Sequence, residues 1–148
     1  MYKILITTIP FGSEPLKKLQ RKDIDYVINP FGRKMTEAEL IEIVPQYDII
    51  IAGTDPMSES VIKKAKRLKM ISRVGIGLNS VDLNAAKESD ITVSYTPDGP
   101  TPAVAELTLN LMLSLLRSSH ISNSYLHKGE WKRFLGRRLG DVSVGIIG

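Results

Sequence analysis

Five short apolar runs punctuate the first two thirds of the chain, at Lys3–Thr7, Asp25–Ile28, Asp48–Ala52, Met70–Val74 and Ile91–Ser94. They are rich in β-branched residues and apolar at nearly every position. Strands with only one buried face alternate; strands covered on both faces do not, and these runs read as the second kind. Amphipathic segments lie between them, each with a start signal. Ser13 is placed to cap a helix carrying Leu16 and Leu19, with Pro15 in its first turn. Thr36 and Glu39 have the spacing of a capping box, with Leu40, Ile41 and Val44 as the buried stripe behind it. Ser58 precedes Val61, Ile62 and Ala65, and Asn79 with Asp82 forms a cap-and-return pair ahead of Leu83 and Ala86. Strand–helix alternation predicts right-handed βαβ units and a parallel sheet with helices on both faces. The expected fold is therefore α/β: a flavodoxin-like, doubly wound sheet of about five parallel strands.

The pattern then changes. Thr96-Pro97-Asp98-Gly99-Pro100-Thr101-Pro102 is dense in turn residues and reads as a hinge. Thr101 is expected to cap a helix running to about Ser118, with Pro102 at its first helical position. Its apolar residues, among them Val104, Leu107, Leu111 and Leu115, occupy most of the circumference. Such a helix is expected to lie between two bodies, a further domain or a partner subunit. A second helix is expected at about Ile121–Lys128. The last run, Val142–Gly148, reads as a buried strand ending on glycine with no helix after it, the pattern of an interrupted unit.

Composition narrows the function. The 148 residues suit one domain or one domain plus part of another, and 43% hydrophobic with 24% charged residues is ordinary for a globular chain. No run approaches the roughly 18–20 apolar residues of a membrane span. The absence of cysteine removes disulfides, thiolate metal ligands and a cysteine nucleophile, and fits a cytoplasmic setting. His120 and His127 stand in a polar segment without neighbouring ligands, so no metal site is expected. The net charge of +4 is mild, although Arg117, Lys128, Lys132, Arg133, Arg137 and Arg138 crowd the last third. They form no regular stripe and have little aromatic interleaving, so a solvated or interface surface is expected rather than a nucleic-acid site. No Ser-His-Asp set, paired carboxylates or Walker loop is evident.

The chemistry-bearing candidate is Gly75-Ile76-Gly77, which follows a strand at the end of the sheet where open α/β folds bind ligands. Two glycines there allow close backbone approach and an anion-binding nest of N–H groups; a tight turn before the next helix explains them equally well. Arg73 beside the loop either faces a ligand or salt-bridges at the strand end. The loop Gly53–Ser58 holds the same topological place and reads first as a helix cap, with a second cleft wall as the alternative. The terminal Val144-Gly145-Ile146-Ile147-Gly148 contains only the first glycine of a G-x-G-x-x-G phosphate loop.

Ile71-Ser72-Arg73-Val74-Gly75-Ile76-Gly77-Leu78-Asn79-Ser80-Val81-Asp82-Leu83 resembles the D-isomer-specific 2-hydroxyacid dehydrogenases, above all their phosphoglycerate dehydrogenase branch. The likeness continues through Val93–Asp98, Ala103–Leu109 and Gly129-Glu130-Trp131 to the final run. The resemblance implies a substrate domain over 1–97, a hinge, crossing helix and loop over 98–141, and the first strand of a truncated NAD-binding Rossmann domain over 142–148. It implies hydride transfer between NAD and the C2 carbon of a D-2-hydroxy acid, with 3-phosphoglycerate one candidate and NAD preferred to NADP by family habit. Gly75, Ile76 and Gly77 would hold the substrate carboxylate; Ile76, Val104, Thr108 and Gly148 would border the cofactor. The acid–base histidine, its glutamate and the substrate-binding arginine are expected beyond residue 148, so the 148 residues alone are expected to be inactive. The helix at 101–118 would form a homodimer. Two departures stand out: Ala52-Gly53 replaces a frequent arginine, which weakens the case for a phosphorylated substrate, and Asn79-Ser80 replaces the usual Asp-Asn. The alternatives from other classes are a non-catalytic module that binds small carboxylates and a nucleic-acid-binding protein using the basic tail.

Overall fold

Strand β1 (Tyr2–Ile6) lies beside two partners, β2 (Ile24–Ile28) on one side and β3 (Ile49–Ala52) on the other. The computed structural model describes residues 1–147. Outward from β3 come β4 (Met70–Arg73) and β5 (Thr92–Tyr95), every pairing parallel, in the order β2-β1-β3-β4-β5. This is the flavodoxin-like order expected from the alternation of the sequence. Observed strand ends differ from the expected ones by a residue, as ladder ends commonly do. The chain divides into two compact units, one over Met1–Gly99 and a second beginning at Pro100.

Helices α1 (Ser13–Leu19), α2 (Glu37–Ile43), α3 (Glu59–Lys64) and α4 (Leu83–Glu88) make the crossovers. Leu5, Ile50 and Ile71 stand side by side in register and are fully buried. They share a core cluster with Leu40 and Val44, with Val61 and Ile62 of α3, and with Ala85 and Ala86 of α4. Ile4 and Ile6 are buried but outside that cluster, as strand alternation requires of residues on the opposite face. Right-handed crossover puts α1 on that second face. The cover there is unequal: α1 buries no residue, and Ile49, Ile51 and Met70 remain half-buried.

Local signals behaved as the sequence implied at two helix starts and differently at three. The Thr36–Glu39 capping box forms, with Glu39 N–H donating to the Thr36 hydroxyl at 3.3 Å and Thr36 N–H to the Glu39 carboxylate at 2.8 Å. Two hydrogen bonds from Arg33 and that N–H pull the Glu39 carboxyl down to about 2. Ser58 caps α3 by accepting from Val61 N–H. At α4 the cap is Asp82, not Asn79: Ala85 N–H donates to its carboxylate at 2.9 Å. Asn79 is excluded because a one-rung parallel bridge, Met57 to Val81, intervenes before the helix. Ser13 is the first helical residue of α1, after Gly12, and makes no side-chain cap.

The second unit contains α5 (Thr101–Arg117) and α6 (Ser119–Leu126). Pro100 already has near-helical dihedrals (φ −85°, ψ −8°), so it is the N-cap and Thr101 lies inside the first turn. The chain turns at Ser118, in the left-handed region with φ 53°, and α6 begins two residues earlier than expected. No residue of either helix is buried, and Leu115 is 72% exposed. Over its described part, the expected strand at 142–148 is not formed. Val142 has extended dihedrals (φ −129°, ψ 150°), but a strand also needs a hydrogen-bonded neighbour, and none pairs with 142–147 among the described residues.

Candidate substrate site

The candidate ligand cleft of the first unit lies at the carboxyl ends of β1, β3 and β4. Parallel strands end together there, and each hands the chain to a polar loop. Thr7, after β1, is 1% exposed; it receives Gly53 N–H on its hydroxyl at 3.0 Å and donates its own N–H to Ile51. That clasp draws the β3 loop against the β1 loop. Val74 N–H continues the ladder to Ala52 at 2.9 Å. Between the three loops is a cavity of about 210 Å³, walled by Thr7, Thr8, Gly53, Thr54, Asp55 and Arg73, with Lys34 contributing as well. The loop Gly53–Ser58 thus performs both roles weighed for it: Ser58 caps α3, and Gly53–Asp55 form a cleft wall.

Asp55 had no distinguishing signal in the sequence. Its carboxylate is 2% exposed and receives Met35 N–H at 2.7 Å. This ties the segment before α2 to the cavity and holds Lys34, the preceding residue, in its lining. Asn29 anchors the same segment, donating to the carbonyls of Thr7 at 3.0 Å and Arg33 at 2.8 Å.

Arg73 lines the cavity and does not form the salt bridge weighed for it among the described residues. It is 9% exposed, it takes part in no ion pair among the described residues, and its Nε is buried without a partner. Its Nη1 contacts the Val74 carbonyl. The guanidinium packs under Gly75: a Cβ built there would stand 2.6 Å from Nη1. Gly75 also has φ +141°, a region that side-chain-bearing residues rarely enter. Gly75 is therefore required by its own backbone conformation, and a side chain there would also displace the arginine tip beneath it.

The three residues expected to form the nest do not contribute alike. Gly75 N–H donates to the Thr96 hydroxyl at 2.8 Å, and its carbonyl receives Thr96 N–H at 3.1 Å. Its donor is spent. The N–H groups of Ile76 and Gly77 have no partner among the described residues, and both residues are exposed. The loop is braced from below by Met57 N–H to the Ser80 carbonyl at 2.7 Å and Asp82 N–H to the Met57 carbonyl at 2.8 Å. The arrangement can bind an anion with two backbone donors, beside a buried cation. It offers no acid–base group at the loop, and among the described residues no cluster of three His, Asp or Glu could hold a metal.

The remaining expected residues lie elsewhere. Val104 and Thr108 are one turn apart on α5 in the second unit, and the Thr108 hydroxyl donates to the Val104 carbonyl at 2.7 Å. Gly148 lies outside the described residues. His120 is on α6 and His127 at its C-terminal cap, both exposed.

The catalytic-domain profile described as D-isomer specific 2-hydroxyacid dehydrogenase matches residues 4–138. The chain belongs to the D-isomer-specific 2-hydroxyacid dehydrogenases. Among its relatives in this dehydrogenase family is the D-3-phosphoglycerate dehydrogenase of Methanocaldococcus jannaschii, 37% identical across all of this chain and 28% of that protein. The hydroxypyruvate reductase of Thermotoga maritima is 36% identical over 94% of this chain and 47% of its own length. The chain thus spans between about a quarter and a half of these relatives. In three dimensions it matches the TT0316 protein of Thermus thermophilus with a TM-score of 0.82 and 31% identity, over 90% of this chain and 44% of that one. It also matches an NAD+-bound 3-phosphoglycerate dehydrogenase of Entamoeba histolytica, at a TM-score of 0.70 and 25% identity over 93% and 43% of the two chains.

Proposed function

We propose that this chain provides the substrate-binding part of an NAD-dependent oxidoreductase acting on a D-2-hydroxy acid. In this reading residues 1–97 are the substrate domain, 98–141 the hinge, crossing helix and loop, and 142–148 the entry to the dinucleotide domain. The observation that carries it is the pair of unengaged N–H groups on Ile76 and Gly77, set beyond β4 next to a buried arginine. Charge-assisted hydrogen bonds to a carboxylate are about twice as strong as neutral ones, and two converging donors fix its orientation. The carboxylate of the hydroxy acid is then held by the backbone, leaving C2 to be presented to the cofactor. Gly75 acts here as the brace and not as a donor.

The family reaction supplies the cofactor assignment, and the residues here fit only its edge. Ile76 is read as the nicotinamide-side residue of the first unit; Val104 and Thr108, the other residues the family implies, belong to the second unit. The strand, glycine turn and helix that cradle a pyrophosphate are not formed among the described residues. When bound, the nicotinamide accepts or returns the hydride. The chain's own contribution is to bind and orient the acid. No histidine here matches the acid–base position of the family, so the chain by itself is read as inactive.

Amide spectra of the chain titrated with D-lactate or D-glycerate test this reading. Ile76 and Gly77 should shift saturably while NADH and pyruvate in the same sample remain unconsumed. Shifts confined to other loops would remove the carboxylate assignment, and turnover would remove the inactivity.

The uncovered α5 supports a homodimer. Val104, Leu107, Leu111 and Leu115 are each more than half exposed, and a contiguous apolar surface of this sort marks an interaction site. Sedimentation at micromolar concentration should show a dimer; a single monomeric species would argue against pairing through this helix.

A further inference from the structure

The segment between β5 and α5 is anchored at both ends and open in the middle. Thr96 is held to Gly75 twice, accepting its N–H at 2.8 Å and donating to its carbonyl at 3.1 Å. At the other end the Pro100 carbonyl receives Val104 N–H at 2.9 Å and closes the first turn of α5. Pro97, Asp98 and Gly99 lie between these anchors. Asp98 and Gly99 are exposed, and the Asp98 carboxylate gives α5 no side-chain cap. Among the described residues that carboxylate pairs with no cation, and the Gly99 N–H has no acceptor.

Asp98-Gly99 is also the one place in the sequence where an acidic residue or an asparagine precedes glycine. Glycine has no Cβ to hinder an approach of its nitrogen to the preceding side chain. At four other aspartates the following nitrogen is engaged or blocked. Ile24, Ile91 and Val142 follow Asp23, Asp90 and Asp141, and donate their N–H groups to the carbonyls of Arg21, Ala86 and Leu139. Asp55 is buried and precedes Pro56, whose nitrogen carries no hydrogen. The hinge is where a free carboxyl, a free amide nitrogen and an unhindered neighbour coincide.

We propose that Asp98-Gly99 is a modification site at which the hinge isomerises spontaneously to isoaspartate. The Gly99 nitrogen attacks Cγ of Asp98; an N–Cγ bond forms, the C–OH bond breaks, and the amide proton leaves with the hydroxyl as water. Water then opens the five-membered succinimide at the Asp98 main-chain carbonyl, breaking its bond to nitrogen. The water lost is regained, so mass is unchanged and no oxidant, metal or cofactor takes part. The main chain now runs through Cβ and Cγ, one C–C bond of about 1.5 Å longer, and the former carbonyl carbon becomes a free carboxylate. The insertion falls between the Thr96 clasp and the first turn of α5, so the hinge changes length with both anchors intact. This inference is independent of the hydroxy-acid reading.

The test incubates the 148-residue chain at physiological temperature and pH, folded and in parallel in urea. Isoaspartate is measured by methyl transfer from an isoaspartate-specific methyltransferase and located by tandem mass spectrometry. Asp98 in the folded chain should convert within about tenfold of its rate in urea, because no native hydrogen bond protects it, while Asp23, Asp90 and Asp141 stay unmodified when folded. Gly99→Ala, whose Cβ would meet nothing closer than 3.8 Å, should slow conversion about tenfold by hindering the nitrogen. Asp98→Asn should convert faster, with ammonia leaving in place of water and the mass gain of deamidation. Protection of Asp98 by more than about tenfold on folding would overturn the proposal, since it would show the hinge to be held. Isoaspartate found only at other positions, or an undiminished rate in Gly99→Ala, would overturn it as well.

Discussion

Replacing Ile50 with alanine is expected to lower the unfolding free energy of the sheet unit by about 2–5 kcal/mol. Ile50 is fully buried at the centre of the row Leu5–Ile50–Ile71, with a strand on each side and α2–α4 above. Truncation removes buried methyl groups and leaves a void that β1 and β4 cannot close without breaking their ladders. Small domains have only about 5–15 kcal/mol in total, so the variant sits near the folding threshold. Urea denaturation followed by circular dichroism should show a midpoint lowered by about 1–2 M with little change in slope. Lys18→Ala, on the exposed surface of α1, should move it by less than about 0.5 kcal/mol. A loss under about 1 kcal/mol for Ile50→Ala would mean that the central row is not packed as described.

Gly75→Ala is the second large effect, and Gly77→Ala is its control. At Gly75 the new Cβ meets Nη1 of Arg73 at 2.6 Å, in a backbone conformation (φ +141°) hostile to any side chain. Strain of this kind costs on the order of 1–3 kcal/mol, and the guanidinium must also leave its seat. At Gly77 an added Cβ meets nothing within 4 Å. The expected result is a clear loss of stability for the first variant, with the Arg73 Nε–H resonance displaced, and a change within about 0.5 kcal/mol for the second. Equal effects would show that the loop requires glycine for some reason other than the packing of Arg73. Two glycines that are indistinguishable by spacing thus acquire different functions, one supporting the arginine and the other leaving a donor free.

Much of the fold could be read from periodicity alone. Short runs apolar on both faces, separated by amphipathic segments, leave few arrangements other than a doubly wound parallel sheet, and the strand order agrees. The Thr36–Glu39 box and the Ser58 cap were equally legible, because both partners lie within one helical turn. The misplaced caps have a common cause. Asn79 was displaced by a bridge to Met57, 22 residues away from it in sequence, and Thr101 by the conformation of the proline before it. Residues 142–147 show the same limitation: an extended, apolar segment becomes a strand only beside another one.

In the candidate site the division is sharper. The sequence marked Gly75-Ile76-Gly77 and left Arg73 open between a ligand and a salt bridge. Gly75 N–H is occupied by Thr96, 21 residues later, and Asp55 by Met35, 20 residues earlier, pairings that no local pattern announces. By itself, then, the sequence determined which residues can be helical or extended, which must be buried, and where the backbone can turn sharply. Those properties belong to each residue and its nearest neighbours. Only the tertiary structure decided which donors are spent and which remain free, and that Arg73 is enclosed without an ion-pair partner among the described residues. Hydrogen-bond satisfaction and desolvation depend on the groups that the folded sheet brings alongside, however far apart they lie in the chain.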